Sequence, residues 1–404
     1  MQAHGTFQRG QIGLLAVGHA AVDLYGGFLS PLIPALREKI GFSLTEGVFL
    51  VSLMGLICNF SQVGFGMVSD RLQSASLVSI GIVLSALGFS MLGLSTSYSM
   101  AMILVVIGAL GIGAFHPEGA GLAGKQSGDK HGTGMGIFST GGAAGVSIGA
   151  VLVTALVSAW GLHATIYGAV IGISIAVLMW RKVRHVHFDH AKTTNNGLSR
   201  RGSFLVLGVV AWMAVIRAFV MTAFHALLPT WYADQGASLY YIGVLIGAFT
   251  FFGGMGSLLG GILADKFGEK HILWSSFVLP VPLLVLFVMM NGTGGLVLIS
   301  LGGMTLMLSI SSVVAIAQRT FPKNVNTASS VVMGLSWGLG ALLVIPTGAL
   351  AETYGIYPVL LGITLTPLLA AMSAPLLSGR LPDRVGQTIE LEEEVSYGAG
   401  PTIL

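Results

Sequence analysis

The stretch "QSASLVSIGIVLSALGFSMLGLSTSYSMAMILVVIGALGIGAF", residues 73 to 115, contains no Asp, Glu, Lys, Arg or His. A single membrane span needs about 20 apolar residues, so this run is too long for one and suits two spans joined by a tight turn. "STSYS" (95 to 99) supplies that turn. The stretch from Ile272 to Gln318 repeats the pattern, with "NGTGG" (291 to 295) between its two apolar halves.

The rest of the chain has the same character. Of 404 residues, 54% are hydrophobic and 9% charged, against roughly a quarter charged in a soluble domain. Too few charges remain to cover a water-soluble fold. The 58 glycines lie largely inside apolar runs, where small residues let helices approach closely. One cysteine, Cys58, excludes an intrachain disulfide framework. The start "MQAHGTFQRG" lacks the features of a cleavable signal, and the apolar segment after it reads as a retained helix.

Apolar length and turn signals predict twelve helices, at about residues 12 to 36, 46 to 68, 76 to 95, 99 to 122, 133 to 157, 162 to 181, 204 to 231, 237 to 262, 271 to 290, 295 to 317, 325 to 350 and 356 to 378. With the N-terminus inside, 16 of the 19 Lys and Arg fall on that side; Arg37 and Lys39 fall outside and Arg217 lies within a helix. The positive-inside rule therefore places both termini in the cytoplasm. The expected organisation is a six-helix bundle over 1–181, a polar cytoplasmic linker over 182–203, a second bundle over 204–378 and an acidic tail over 379–404.

The halves echo each other. "GFGMVSDRLQSAS" (64 to 76) matches "GGILADKFGEKHI" (260 to 272), and "GIFSTGGAAGVSIGAVL" (136 to 152) matches "GLSWGLGALLVIPTGAL" (334 to 350), both at an offset near 196. An internally duplicated six-helix unit produces such an echo.

On these residues the chain resembles the major facilitator superfamily, an all-α membrane fold of two pseudo-symmetric six-helix bundles. That family carries, after helices 2 and 8, a loop with Gly, three residues, Asp, then Arg or Lys, then a spaced Gly and further basic residues. Here the second copy reads Gly261, Asp265, Lys266, Gly268, Lys270; the first keeps Gly66, Asp70 and Arg71 but has Ser74 where the pattern would continue. Within the superfamily, "GHAAVDL" (18 to 24), "GAFHPEGAGLAG" (113 to 124) and "DKHGTGMGIFSTGGAAG" (129 to 145) resemble the fosmidomycin-resistance type of efflux transporter. The resemblance implies proton-coupled export of a small organic compound. One departure is that Gly149 is followed by Ala150, where antiporters commonly have Gly and Pro after the helix 5 glycines.

Intramembrane ionisable residues are few and mark a protein interior or a wet cavity, since each costs roughly 2.5–3.5 kcal/mol at a helix centre. His19 and Asp23 are spaced i, i+4 on one face of helix 1; His116 and Glu118 flank Pro117 in helix 4; Arg217 and His225 lie two turns apart in helix 7. Facilitators line their cavity with helices 1, 4, 7 and 10, and helix 10 here offers only Ser309, Ser311 and Ser312. Asp23 and Glu118, with His116 and His19, are the candidates for proton coupling: burial favours a neutral carboxyl, a neighbouring cation the charged one. Arg217, His225, Asp23 and Glu118 are the candidates for substrate binding, and Asp70, Arg71, Asp265 and Lys266 for gating. Pro117 is expected to kink helix 4 so that His116 and Glu118 address one cavity.

Blander readings stand beside these. His19 and Asp23 would also make a self-satisfied structural pair, Arg217 would also reach the cytoplasmic interface by snorkelling, and His225 would also serve as a packing residue. "SLTE" (43 to 46) has the spacing of a capping box, so Glu46 needs no transport role. "RKVRHVHF" (181 to 188) reads as an anchor against anionic lipid.

No glycine-rich phosphate loop and no room for a nucleotide-binding domain are found, so transport would draw on a gradient, with no cofactor. A second reading uses His19, Asp23, His116, Glu118 and His225 as ligands for a divalent transition metal. A third, an integral-membrane enzyme or receptor, lacks a reactive constellation or a signalling domain. The expected partners are a small-molecule substrate, protons and the lipid bilayer of the cytoplasmic (inner) membrane, with no nucleic acid, and the chain is expected to be a monomer.

Overall fold

The computed structural model describes residues 7–72, 76–126, 131–183, 200–290, 294–321, 328 and 331–377. Among them are twelve helices long and apolar enough to cross a membrane, and no strand. We number them α1 (Arg9–Ile40), α2 (Leu44–Leu72), α3 (Ser76–Leu94), α4 (Tyr98–Gln126), α5 (His131–Trp160), α6 (Leu162–Lys182), α7 (Arg200–Asp234), α8 (Leu239–Phe267), α9 (Glu269–Met289), α10 (Gly294–Met307 continued by Ser309–Thr320), α11 (Val331–Tyr354) and α12 (Ile356–Leu377). Every span expected from the sequence is present. The expected linker falls mostly, and the acidic tail wholly, outside the described residues.

Local chemistry sets the helix ends. α1 stops at Gly41, whose φ of 84° suits a residue without Cβ and whose N–H returns to the Arg37 carbonyl at 2.8 Å. Two residues later the capping box forms: the Ser43 N–H donates to Glu46 Oε2 at 2.7 Å, and the Glu46 N–H to Ser43 Oγ at 3.1 Å. Glu46 is thus a helix-starting residue. Ser238 caps α8 in the simpler way, accepting from the Tyr241 N–H at 3.2 Å.

α1 packs against α4 and α5, and α3 against α4 and α6; in the second half α8 packs against α10, and α7 against α11 and α12. Between the two sets, α2 lies along α11 and α5 along α8. A duplication that maps helix 2 onto 8 and 5 onto 11 turns one of these contacts into the other, so the two are one contact made twice.

Glycines allow the closest approaches. Gly141, Gly145 and Gly149 of α5, one turn apart, lie so near Ala16, Ala20 and Leu24 of α1 that a Cβ on any of them would overlap the facing carbonyl. Small residues at i, i+4 and i+8 bring the two backbones into contact, as membrane helix pairs require. This seam places α5 directly behind His19 and Asp23.

Candidate functional site

His19 and Asp23 sit on the inner face of α1, one turn apart, with His19 Nε2 3.1 Å from Asp23 Oδ2. His116 of α4 completes the group: its Nε2 is 3.3 Å from Asp23 Oδ1 and 3.1 Å from His19 Nε2. Asp23 therefore gives one oxygen to each imidazole. The three side chains retain 10%, 16% and 23% exposure for His19, Asp23 and His116, so the cluster is enclosed but reachable.

The far nitrogen of His19 is fixed by the third helix. Nδ1–H donates to the Phe138 carbonyl of α5 at 2.8 Å, and a carbonyl only accepts, so Nδ1 carries a hydrogen. The ring is held between Phe138, with centroids 4.1 Å apart, and Phe115, at 5.7 Å, in near-parallel stacks. Gly142 closes the back of the cluster. A Cβ there would stand 2.6 Å from His19 Nε2 and 2.7 Å from Asp23 Oδ2, so only glycine leaves room for the pair.

This geometry has a proton-counting consequence. With Nδ1–H committed to Phe138, a neutral His19 would turn a lone pair toward a carboxylate oxygen 3.1 Å away. The observed contact is attractive only if one further hydrogen lies between them, on His19 Nε2 or on Asp23.

Not all the expected residues join. α4 runs through Pro117 as one helix, where two positions are about 200° apart. His116 consequently reaches Asp23, whereas Glu118, 1% exposed, stands outside the group of His19, Asp23 and His116 whose ligand-type atoms lie within 4.8 Å of one another. Of the pair expected to address one cavity, His116 joins the cluster and Glu118 does not.

Arg217 is buried at 2% exposure and does not snorkel; its Nη1–H donates to Ser309 Oγ of α10 at 3.1 Å. His225 stays on its own side, with Nε2 3.0 Å from Thr250 Oγ1 of α8 and its ring edge-on to Phe249. Its backbone carbonyl accepts a hydrogen bond from the Ser30 hydroxyl of α1. Of the five residues in the metal reading, the structure thus assembles three.

For gating, Lys266 is exposed at the end of α8, its Nζ 5.3 Å from the Phe267 ring centroid; the side chains of Asp70, Arg71 and Asp265 lie outside the described residues. A contact that sequence reasoning did not foresee joins the halves at the other end of the helices. Glu352 of α11 accepts from the Thr45 N–H at 2.9 Å and from the Thr45 hydroxyl at 2.8 Å. The missed partners at these three places (Phe138 and Gly142, Thr45, Ser30) act through backbone atoms, small size or a hydroxyl, which carry no long-range signal in one sequence.

Comparison with known proteins supplies the family. The model of the Major Facilitator Superfamily matches residues 15–345. The chain is 24% identical over 388 residues to the fosmidomycin resistance protein of Escherichia coli (strain K12), covering 93% of this chain and 94% of that one. It is 25% identical over 374 residues to the uncharacterized MFS-type transporter YfnC of Bacillus subtilis (strain 168), covering 89% and 91%. Among solved structures, a bacterial homologue of the human lysosomal transporter Spinster, inward-facing and unoccupied, shares the fold with a TM-score of 0.79 at 12% identity, over 93% of this chain and 98% of that one. The nucleoside transporter NupG gives 0.69 at 14%, over 92% and 100%. A match that runs from within α1 to within α11, on twelve helices folded as other transporters fold, makes this multi-pass membrane protein a secondary transporter rather than an enzyme and a member of the Major Facilitator Superfamily.

Proposed function

We propose that the protein exports a small organic compound, a fosmidomycin-like phosphonate or another drug or metabolite, in exchange for protons by alternating access. The observation that carries this reading is Asp23 held between His19 and His116 at 3.1 and 3.3 Å. A hydrogen on His116 Nε2 joins α4 to Asp23 of α1 across 3.3 Å. Its loss leaves a lone pair facing a carboxylate, so α1 and α4 then repel where they had attracted. Protonation and helix position are linked in this way, and a bound substrate that alters the surroundings of Asp23 alters both. Glu118, buried two residues beyond His116, is the second proton-carrying candidate; Arg217 and His225 are substrate-side candidates on α7.

The export direction draws on the similarity to the fosmidomycin resistance protein. The positive-inside distribution supports cytoplasmic termini and, with them, a place in the inner membrane. The six-helix units over 1–181 and 204–378 act as the two moving bodies of a monomer. Thr45 and Glu352 hold them together on the face away from the termini, while Asp70, Arg71, Asp265 and Lys266 are gating residues of the opposite face.

Reconstitution into liposomes with an internal pH dye tests the mechanism, with phosphonates, sugars, amphipathic drugs and metals as candidate substrates. Movement of an active substrate should change internal pH, and Asp23→Asn should abolish that change. Transport without proton flux, unaltered in Asp23→Asn and Glu118→Gln, would sink it. Cobalt binding lost in His116→Ala would instead favour the metal reading, which now rests on three residues rather than five.

A further inference from the structure

Arg217 poses a separate problem, because a guanidinium is never neutral in a protein and this one is inside a membrane bundle. Among the described residues it makes one hydrogen bond, to Ser309 Oγ, and its Nε–H has no acceptor. No ion pair among the described residues joins Arg217 to a carboxylate.

The neighbouring groups are donors too. Ser309 is fully buried and accepts from Arg217, which leaves its own hydrogen to give. Ser312, three positions on and so on the same face of the helix, is 2% exposed and its hydroxyl has no partner among the described residues.

The backbone explains why Ser309 is available. α10 is interrupted at Leu308, whose N–H bonds Thr305 O at 3.3 Å in a tighter turn. Ser276 of α9 splices the break, donating its hydroxyl to Leu306 O at 2.9 Å and accepting the Ser309 N–H at 3.1 Å. The irregular backbone is satisfied from α9, and the Ser309 hydroxyl is left to face Arg217 of α7. A buried cation with an unspent Nε–H, beside a serine hydroxyl that accepts from it and still has a hydrogen to give, is the converse of a satisfied polar network. It fits a ligand that is negatively charged and only accepts.

We propose that Arg217, Ser309 and Ser312 bind one small anionic group, either a free inorganic anion or the acidic end of the transported compound. The second source rests on the transport function proposed above; binding itself does not, and it is read without transport.

The test uses the purified protein in detergent, in a low-ionic-strength Tris–HEPES buffer free of chloride, phosphate and carboxylates. Thermal unfolding is followed while sodium chloride, sodium phosphate, acetate or methylphosphonate is titrated. A ligand that binds the folded state raises Tm with saturation. Saturation with chloride or phosphate identifies a free anion; saturation with acetate or methylphosphonate alone identifies the acidic end of an organic compound. Arg217→Gln should remove the rise, and Ser312→Ala should weaken the apparent affinity by about tenfold, the size of one hydrogen bond to a charged group. No saturable rise with any probe overturns the proposal, as does an equal rise in Arg217→Gln. Should Arg217→Gln not fold, unchanged affinity in Ser312→Ala overturns it alone.

Discussion

Glu352, two residues before the end of α11, caps the first turn of α2 through Thr45, with one carboxylate oxygen on the backbone N–H at 2.9 Å and the other on the hydroxyl at 2.8 Å. The bond crosses between the two sets of six helices. Below it, Gly348 meets Thr45 and Val48, Gly55 meets Ala341 and Gly338 meets Phe60, while Gly64 and Gly334 further along meet nothing within 4 Å. α2 and α11 are thus held together from the Thr45 end inward.

Glu352→Gln should loosen that end. The pair is exposed, so the shift in population should be at most about fivefold. Spin labels at Thr96→Cys and Asp234→Cys, in a Cys58→Ser background, would read it as a longer component in the distance distribution. An unchanged distribution would show that helix packing, and not this cap, holds the face shut.

Gly142→Ala should disable the protein while leaving it folded. The added Cβ lies 2.6 Å from His19 Nε2 and 2.7 Å from Asp23 Oδ2, contacts that force one of them to move. Overpacking of this kind costs about 1–3 kcal/mol. Gly136→Ala, at a site with nothing within 4 Å, is the matched control and should transport normally. Equal transport by both variants would mean that the His19–Asp23 contact is dispensable.

The two histidines should differ in what their loss does. His19 is stacked between two phenylalanines and tied to a carbonyl, so His19→Ala empties packed space and leaves the Phe138 carbonyl without that donor. His116 is more exposed. His19→Ala should therefore be less stable than His116→Ala by about 2 kcal/mol, seen as a lower Tm. Equal stability would contradict the positions of the two rings.

The sequence carried part of this site plainly and concealed the rest. His19 and Asp23 are legible because i, i+4 spacing on a helix brings side chains together whatever surrounds them. The Ser43 and Glu46 box is legible for the same local reason. His116 against Glu118 was a question of helix phase at a proline, and only the continuous α4 answers it. Arg217 was open between interface and interior because a long side chain on an isolated helix reaches either; Ser309, more than ninety positions away, decides it. Phe138 enters through its carbonyl, an atom every residue has, so nothing in its identity announced it.

Ser30 and Pro229 act on the same backbone carbonyl. Proline has no N–H, so at position 229 inside α7 it leaves the His225 carbonyl, four residues earlier, without its helical donor. The Ser30 hydroxyl of α1 takes that place, which ties the two halves together at a backbone atom. Ser30→Ala should then cost about 1–3 kcal/mol, the penalty for a buried acceptor left unmade. Pro229→Ala restores an N–H to the helix and gives the carbonyl an acceptor's partner of its own. In that background Ser30→Ala should cost much less, so the double-mutant cycle should show a coupling of about 1 kcal/mol. Independent, additive losses in Tm would mean that the freed carbonyl is not what Ser30 is there to satisfy.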